Sequence, residues 1–131
     1  MARTTSRRVS INLPHMAHGA PIPMGAKVGN TVYSSGIGGS NAEGKMPSEP
    51  DEQAKQMFEN IRQFMEQAGG SVEDIVHVRI LMKDRGQRES INKPWLEMFP
   101  DEHSRPARHA LETNLGGQFL FQAEVVAVLG G

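Results

Sequence analysis

The sequence predicts one α+β domain over residues 1–131, in which two helices cover one face of a mixed sheet. Three observations favour this class. A hairpin-like pattern comes first, two stretches with helical spacing then alternate with strand-like runs, and the last strand is apolar on both faces. The predicted order of elements is ββαβαββ, preceded by a flexible N-terminal extension over residues 1–10.

The first two strands form the predicted hairpin. Residues 26–28 and 31–35 are short β-type runs, and Gly29 and Asn30 between them suit a tight turn. Residues 36–44 are rich in glycine and polar side chains, which indicates a loop.

The first helix has the clearest pattern in the chain. Ser48 is its predicted N-cap, Pro50 suits the first turn, and Gly69 and Gly70 end the helix. Its buried face follows the i, i+3, i+4, i+7 spacing and consists of Ala54, Met57, Phe58, Ile61, Phe64, Met65 and Ala68.

A strand over residues 74–82 and a helix over residues 88–99 follow. One face of this strand carries Val76, Val78, Ile80 and Met82. The inward residues of the helix are Ile91, Trp95, Met98 and Phe99. Pro94 lies inside the helical pattern, so it either kinks the helix or marks the first turn of a shorter helix that begins near Asn92.

Residues 106–113 and 119–129 complete the sheet. Along the last strand, one face carries Phe119, Phe121, Ala123, Val125, Ala127 and Leu129, and the other carries Leu120, Gln122, Glu124, Val126 and Val128. A strand that is apolar on both faces is buried on both sides, yet two helices cover only one face of the sheet. We therefore predict a homo-oligomer that covers the other face.

The composition excludes several classes of protein. Counting Gly and omitting Tyr, about 47% of the residues are apolar, which is typical of a globular domain. The absence of cysteine excludes disulfides and thiolate chemistry, and a net charge of −1 gives no general attraction to nucleic acid. No apolar run is long enough for a membrane span or a signal peptide, so we expect a cytoplasmic protein. His15 and His18 have HxxH spacing but no third ligand, so no metal site is predicted.

Glu124 is the most informative single residue, because it is the one charge in an otherwise apolar strand. A buried carboxylate needs a partner or a raised pKa. Two interpretations stay open. Glu124 is either a structural ion-pair partner or edge residue, or a functional carboxylate that orients water or transfers a proton.

Arg108 lies in a strand-like run, and its guanidinium could bind a carboxylate through two parallel hydrogen bonds. The alternatives are a structural mate of Glu124 or a solvated arginine. Arg105 precedes a proline and is assigned to the turn before the strand. His109 alternates to the opposite face from Arg108 and is assigned to packing.

Two further features carry open alternatives. Residues 34–39, Ser-Ser-Gly-Ile-Gly-Gly, follow a strand and form either an ordinary turn or a loop whose backbone N–H groups approach an anion or a carbonyl. Asn92 is, on local grounds, a helix cap or a surface residue.

These segments together resemble the RidA/YjgF family. The resemblance runs from about residue 26 to residue 128, and its order and spacing are more specific than any single piece. The segments are VGNTVYSSG at 28–36, QAKQMFENI at 53–61, AGGSVEDIV at 68–76, NKPW at 92–95, RPAR at 105–108 and EVVAV at 124–128.

The resemblance implies a chorismate-mutase-like α+β fold and a homotrimer with its helices outside and its ligand clefts between subunits. It also implies a hydrolase acting on C–N bonds, similar to 2-iminobutanoate/2-iminopropanoate deaminases, which converts reactive enamines and imines to keto acids and ammonia. Such chemistry needs a carboxylate-bearing small molecule, a placed water and no metal or organic cofactor.

Carried over by position, Arg108 would bind the substrate carboxylate and Glu124 would hold the attacking water. The residues that line the ligand site would be Ser35, Gly36, Ile37, Asn92 and Ala110.

Two departures from the family pattern fall where substrate contacts are expected. Residues 20–25 contain no tyrosine, and Ala110 stands where a cysteine often follows the arginine. An aminomuconate-type ring-cleavage product is therefore an alternative substrate, and a non-catalytic binder of small molecules is an alternative function. An endoribonuclease or translation inhibitor is disfavoured by the net charge of −1.

Overall fold

A computed structural model describes residues 7–16 and 20–130 of the chain. It confirms the α+β class, with one mixed sheet and two helices. The elements are β1 (Arg8–Ile11), β2 (Gly25–Val28), β3 (Thr31–Ser34), α1 (Pro50–Gln67), β4 (Ile75–Met82), α2 (Glu89–Met98), β5 (Ala107–Glu112) and β6 (Phe121–Val128). The strand order is β1-β2-β3-β6-β4-β5, and all neighbours are antiparallel except β4 and β5.

The prediction of a flexible extension over residues 1–10 is wrong for its last three residues. Arg8, Val9 and Ser10 belong to β1, which pairs with β2 at the edge of the sheet. Ile11 ends this strand and is buried, so it anchors the strand to the core. A four-residue edge strand with one buried side chain leaves too short a pattern for periodicity to detect.

The predicted hairpin is confirmed, with Gly29 at φ 59° in the turn between β2 and β3. The first helix is also confirmed, but its N-cap is Glu49 rather than Ser48, and no side chain caps it. At the other end, Gly69 has φ 94°, its N–H donates to Glu66 O, and the N–H of Gly70 donates to Met65 O. This is the Schellman arrangement, which requires glycine because a side chain disfavours the left-handed backbone.

The prediction of one apolar face on β4 is wrong at Val76. The pairing of β4 with β6 shifts between Ile75 and His77, so Val76 forms a β-bulge and is 49% exposed while Ile75 is buried. A bulge adds one residue to one strand, which reverses the alternation on one side of it.

The second helix begins at Glu89, so the alternative of a shorter helix from Asn92 is wrong. Pro94 lies inside the helix and is buried. It has no N–H to donate to the carbonyl oxygen of Ser90. The hydroxyl of Ser90, a separate group, donates to Asp51 on α1 at 2.6 Å.

The two faces of the sheet differ in what covers them. Helices α1 and α2 cover the face that carries Val32, Ile80 and Ala123, each of which is 0% exposed. On the opposite face, called the open face below, Tyr33 is 59% exposed and Val128 is 44% exposed. The predicted uncovered face is therefore present, while the oligomer that would cover it stays a prediction.

No helix in the described ranges is long and apolar enough to cross a bilayer. His18 and the side chain of His15, the HxxH pair, lie outside the described residues.

The fully buried amide of Gln53 joins α1 to two loops. Its Nε2 donates to Pro47 O at 2.9 Å and to Gln118 O at 3.2 Å, and its Oε1 accepts from the N–H groups of Leu120 and Phe121. All the hydrogen-bonding capacity of the side chain is thereby used inside the core.

We therefore predict that Gln53→Met, which keeps the length of the side chain, lowers the free energy of unfolding by about 2–4 kcal/mol, because four backbone groups lose their partner. Urea denaturation measures this. The control Gln63→Met removes one hydrogen bond at the helix surface. It should change stability by less than about 0.5 kcal/mol. Equal effects of the two substitutions would contradict the role of Gln53.

Candidate active site

Arg108 projects from β5 towards α2. Its Nη2 donates to Asn92 Oδ1 at 2.8 Å, and its Cζ lies 5.0 Å from the centre of the Trp95 ring. Trp95 is fixed in turn by an edge-on contact with Phe99, with ring centres 4.8 Å apart. A guanidinium held by one amide and one aromatic face keeps its remaining N–H groups in a fixed orientation.

Asn92 links two charged side chains. It accepts from Arg108, and its Nδ2 donates to Glu89 Oε1 at 3.1 Å. The local interpretation of Asn92 as a cap is wrong, because the residue lies in the second half-turn of α2 and faces β5. Ala110 lies on the same side of β5 as Arg108 and packs against the core.

The environment of Arg108 is electrostatically unfavourable for a cation. Burial lowers the pKa of its guanidinium below the usual range, and the positive charge of Arg88 lowers it further, while Glu89 opposes the shift. Arginine nevertheless stays protonated in proteins, so the site presents a charged donor that is only partly compensated.

Glu124 lies in β6 on the open face. Its Oε1 is 3.8 Å from Nη1 of Arg79 in β4, and the side chain is 42% exposed. The expectation of a buried carboxylate is therefore wrong for the single chain, and Arg108 is not its structural mate. The cross-strand neighbour Arg79 supplies the opposite charge.

The loop after β3 runs beside Glu124. Ser35 is held by its N–H to Met24 O at 2.7 Å and by its Oγ to Pro23 O at 2.8 Å. Ile37 exchanges two backbone hydrogen bonds with Ala123, at 2.7 and 2.8 Å. Gly36 lies between them.

The side chain of Gln122, from β6, packs against Gly36. A Cβ at this position would lie 2.6 Å from the amide carbon of the Gln122 side chain. Because Gln122 and Ala123 precede Glu124 in β6, their contacts with Gly36 and Ile37 place the loop next to the carboxylate.

The predicted site residues thus form two groups on opposite faces of one sheet. Val78 pairs with Arg108, and the next residue of β4, Arg79, pairs with Glu124. Successive residues of a strand point to opposite faces. Arg108, Asn92 and Ala110 form one group on the helix-covered side, and Glu124 lies with Ser35 and Gly36 in the other. The prediction that Ile37 lines the site is wrong, because its side chain is 0% exposed in the core on the face of its partner Ala123. One chain alone therefore does not bring Arg108 and Glu124 into the same pocket.

Sequence reasoning missed three contributors to these groups. Trp95 was assigned to the core alone, although its spacing of three from Asn92 places both on one helix face. No role was predicted from the sequence for Arg79 or Arg88. Arg105 lies in the expected turn, where it donates to Phe99 O at 2.9 Å. His109 lies on the face opposite Arg108, as expected, but its side chain is exposed, so its assignment to packing is not confirmed.

The described part of the chain contains no cluster of three or more His, Asp or Glu side chains that could hold a metal ion.

Comparison with known proteins agrees with the fold and with the order of these segments. The model of the family described as endoribonuclease L-PSP matches residues 19–129. The chain belongs to this family, RidA/YjgF.

Named members of the RidA/YjgF family show moderate similarity to the chain. A 2-iminobutanoate/2-iminopropanoate deaminase of Escherichia coli K12 is 31% identical over 112 residues, which covers 82% of this chain and 87% of the relative. The 3-aminoacrylate deaminase RutC of Acinetobacter baylyi is 32% identical over 98 residues, covering 73% of this chain and 76% of the relative.

Solved structures of the family confirm the predicted RidA fold. The RidA of an Antarctic Psychrobacter superposes with a TM-score of 0.83 at 28% identity, covering 92% of this chain and 100% of that one. The TdcF protein of E. coli, solved with bound serine, gives a TM-score of 0.81 at 25% identity, covering 93% and 100%.

The contacts of Arg105, in the turn before β5, and of Arg108, within β5, predict losses of stability of different size. Arg105→Met should lower the free energy of unfolding by about 1 kcal/mol, because backbone carbonyls lose a charged donor. Arg108→Met should lower the free energy of unfolding by a smaller amount, because the substitution also removes a partly buried charge that Arg88 repels. Chemical denaturation compares the two. A larger loss for Arg108→Met would show that Arg108 is a structural residue.

Proposed function

We propose that the protein hydrolyses enamine and imine intermediates to keto acids and ammonia in clefts between the subunits of a homotrimer. Arg108 of one subunit binds the substrate carboxylate, and Glu124 of a neighbouring subunit places the attacking water. The observation that carries this proposal is the placement of the two residues on opposite faces of the sheet. Each chain would then supply Arg108 to one site and Glu124 to a different site.

The activity rests on the named relatives as well as on the two groups of residues. The E. coli relative is named for the imines 2-iminobutanoate and 2-iminopropanoate, and the A. baylyi relative for 3-aminoacrylate. Each of these molecules has a carboxylate and a carbon bonded to nitrogen. The guanidinium of Arg108, whose charge is only partly compensated, suits the substrate carboxylate. Glu124, a carboxylate that can hold water, suits the carbon bonded to nitrogen.

Binding is the first step of the proposed mechanism. The N–H groups of Arg108 that Asn92 does not engage form hydrogen bonds to the substrate carboxylate. Because Trp95 and Asn92 hold the guanidinium plane, the imine carbon is presented in one orientation. Backbone groups around Gly36, against which the side-chain amide of Gln122 packs, line the facing wall.

Glu124 then acts on the water. The water oxygen adds to the carbon of the protonated imine while Glu124 accepts a proton from the water and the C=N π electrons move to the nitrogen, which gives a neutral tetrahedral carbinolamine. Glu124 returns this proton to the nitrogen. The C–N bond then breaks as Glu124 takes the proton of the hydroxyl group, so that ammonia leaves and the hydroxyl oxygen becomes the carbonyl of the keto acid, and the proton on Glu124 passes to the released ammonia. Arg79, 3.8 Å from Glu124, balances the charge of the carboxylate in this cycle.

The open face of the sheet supports the proposed assembly. Exposed Tyr33, Leu111 and Val128 lie on this face together with Glu124. Burying this face against another copy would remove apolar surface from water.

The small Ala110 beside Arg108 favours a second candidate, a larger substrate of the aminomuconate type. Residues 20–25 point the same way, because Pro23 contacts Ser35 and this segment carries no tyrosine to fill the cleft. Assays of imines with short and long side chains separate this candidate from the first.

The direct test couples the protein to a threonine dehydratase and measures ammonia release above spontaneous imine hydrolysis. Arg108→Ala and Glu124→Gln should each lower the rate acceleration by about 100-fold or more, the usual size of a lost acid–base or anchoring group. The control Arg105→Ala, which alters an arginine bound to backbone carbonyls, should keep activity within about threefold. A folded wild-type protein that gives no acceleration with any imine, yet binds the keto acid, would instead identify a small-molecule binder.

A further inference from the structure

Arg88 lies on the same helix face as the residue that holds Arg108. Its backbone is helical, with φ −65° and ψ −21°, and its carbonyl accepts from the N–H of Ile91 at 3.0 Å, so the chain winds continuously from Arg88 into α2. Asn92 follows four residues later. Residues spaced by four on a helix lie one above the other, about 5–6 Å apart at Cβ.

The charges around this helix face do not balance. Arg88 and Arg108 carry two positive charges, and Glu89 carries the one negative charge that acts on Arg108. One oxygen of Glu89 is already engaged by Asn92. The side chain of Arg88 is exposed and forms no ion pair within the described part of the chain.

A pair of like charges is unfavourable beside a partly buried group, and a bound anion relieves it. With two arginines and one glutamate, the net charge of the cluster is one positive unit, which matches a single carboxylate. Arg79 belongs to the other face of the sheet and does not contribute to this count.

We propose that Arg88 is a second arginine for the substrate's acidic group, so that one carboxylate is bound between Arg88 and Arg108. This inference rests on the proposed function, since it identifies further contacts of the same substrate. Arg88 lies on the helix-covered side of the sheet and Glu124 on the open face, so Arg88 acts on binding and capture rather than on the water.

The test measures binding of 2-oxobutanoate, the keto acid product of 2-iminobutanoate hydrolysis, by titration calorimetry or NMR on the full-length protein. Arg88→Gln should weaken binding about 5- to 10-fold, as expected for loss of one charge-assisted contact at a half-exposed site. Arg88→Lys keeps the charge and should recover part of this loss. The matched control is Arg85→Gln, an exposed arginine one turn earlier, which should leave the dissociation constant unchanged.

Kinetics supply the second readout. With imine substrates, Arg88→Gln should raise KM by the same factor and leave kcat within about twofold, because the removed contact is present in both ground and transition states. Thermal unfolding checks that the variant is folded.

The outcomes separate this inference from the proposed function. Equal affinity of the wild type and Arg88→Gln for 2-oxobutanoate would overturn the role of Arg88 while leaving the deaminase proposal intact. Weakened binding in a protein that hydrolyses no imine would support Arg88 and overturn the deaminase activity. No saturable binding of the keto acid by the wild type would overturn the carboxylate site itself.

Discussion

The two-sidedness of a single β-sheet is the constraint on which the account depends. Consecutive residues of β4 pair with Arg108 on one side and with Glu124 on the other, and the pleat sends their side chains in opposite directions. The sheet therefore lies between the two side chains within one chain. Cooperation between the two residues therefore requires two chains, and the uncovered face that carries Glu124 is the surface through which a second chain would approach.

Buried amides hold the Glu124 side of the sheet in place. Asn60 donates to Gly38 O and Ser40 O at 2.9 and 2.8 Å, and Gln53 binds the chain that leads into β6. Both side chains come from α1 and are almost fully buried. The helix packed on one face thereby positions the glycine-rich loop at the edge of the other face, so the fold's core and its candidate site share the same contacts.

The sequence was sufficient for the features that depend on local pattern. The apolar spacing of α1, its end at Gly69 and the hairpin turn at Gly29 all follow from residue types a few positions apart. The bulge at Val76 and the short edge strand β1 escaped prediction, because both are fixed by pairing with distant strands. Arg108 and Glu124 could be identified as candidates from the local sequence. Their placement on opposite faces of the sheet, and the pairing of Glu124 with Arg79, depend on the register between strands and became evident only from the structure.

Mixing of inactive subunits tests the central claim, a site shared between chains, most directly. Arg108→Ala and Glu124→Gln chains carrying different tags would be co-expressed, and oligomers with both tags would be purified and assayed for ammonia release from imines. In a homotrimer that carries both tags, one of the three sites should combine an intact Arg108 and an intact Glu124 from different chains, so activity should return to about one third of the wild type. Mixed oligomers no more active than the separate variants would contradict a site built from two chains.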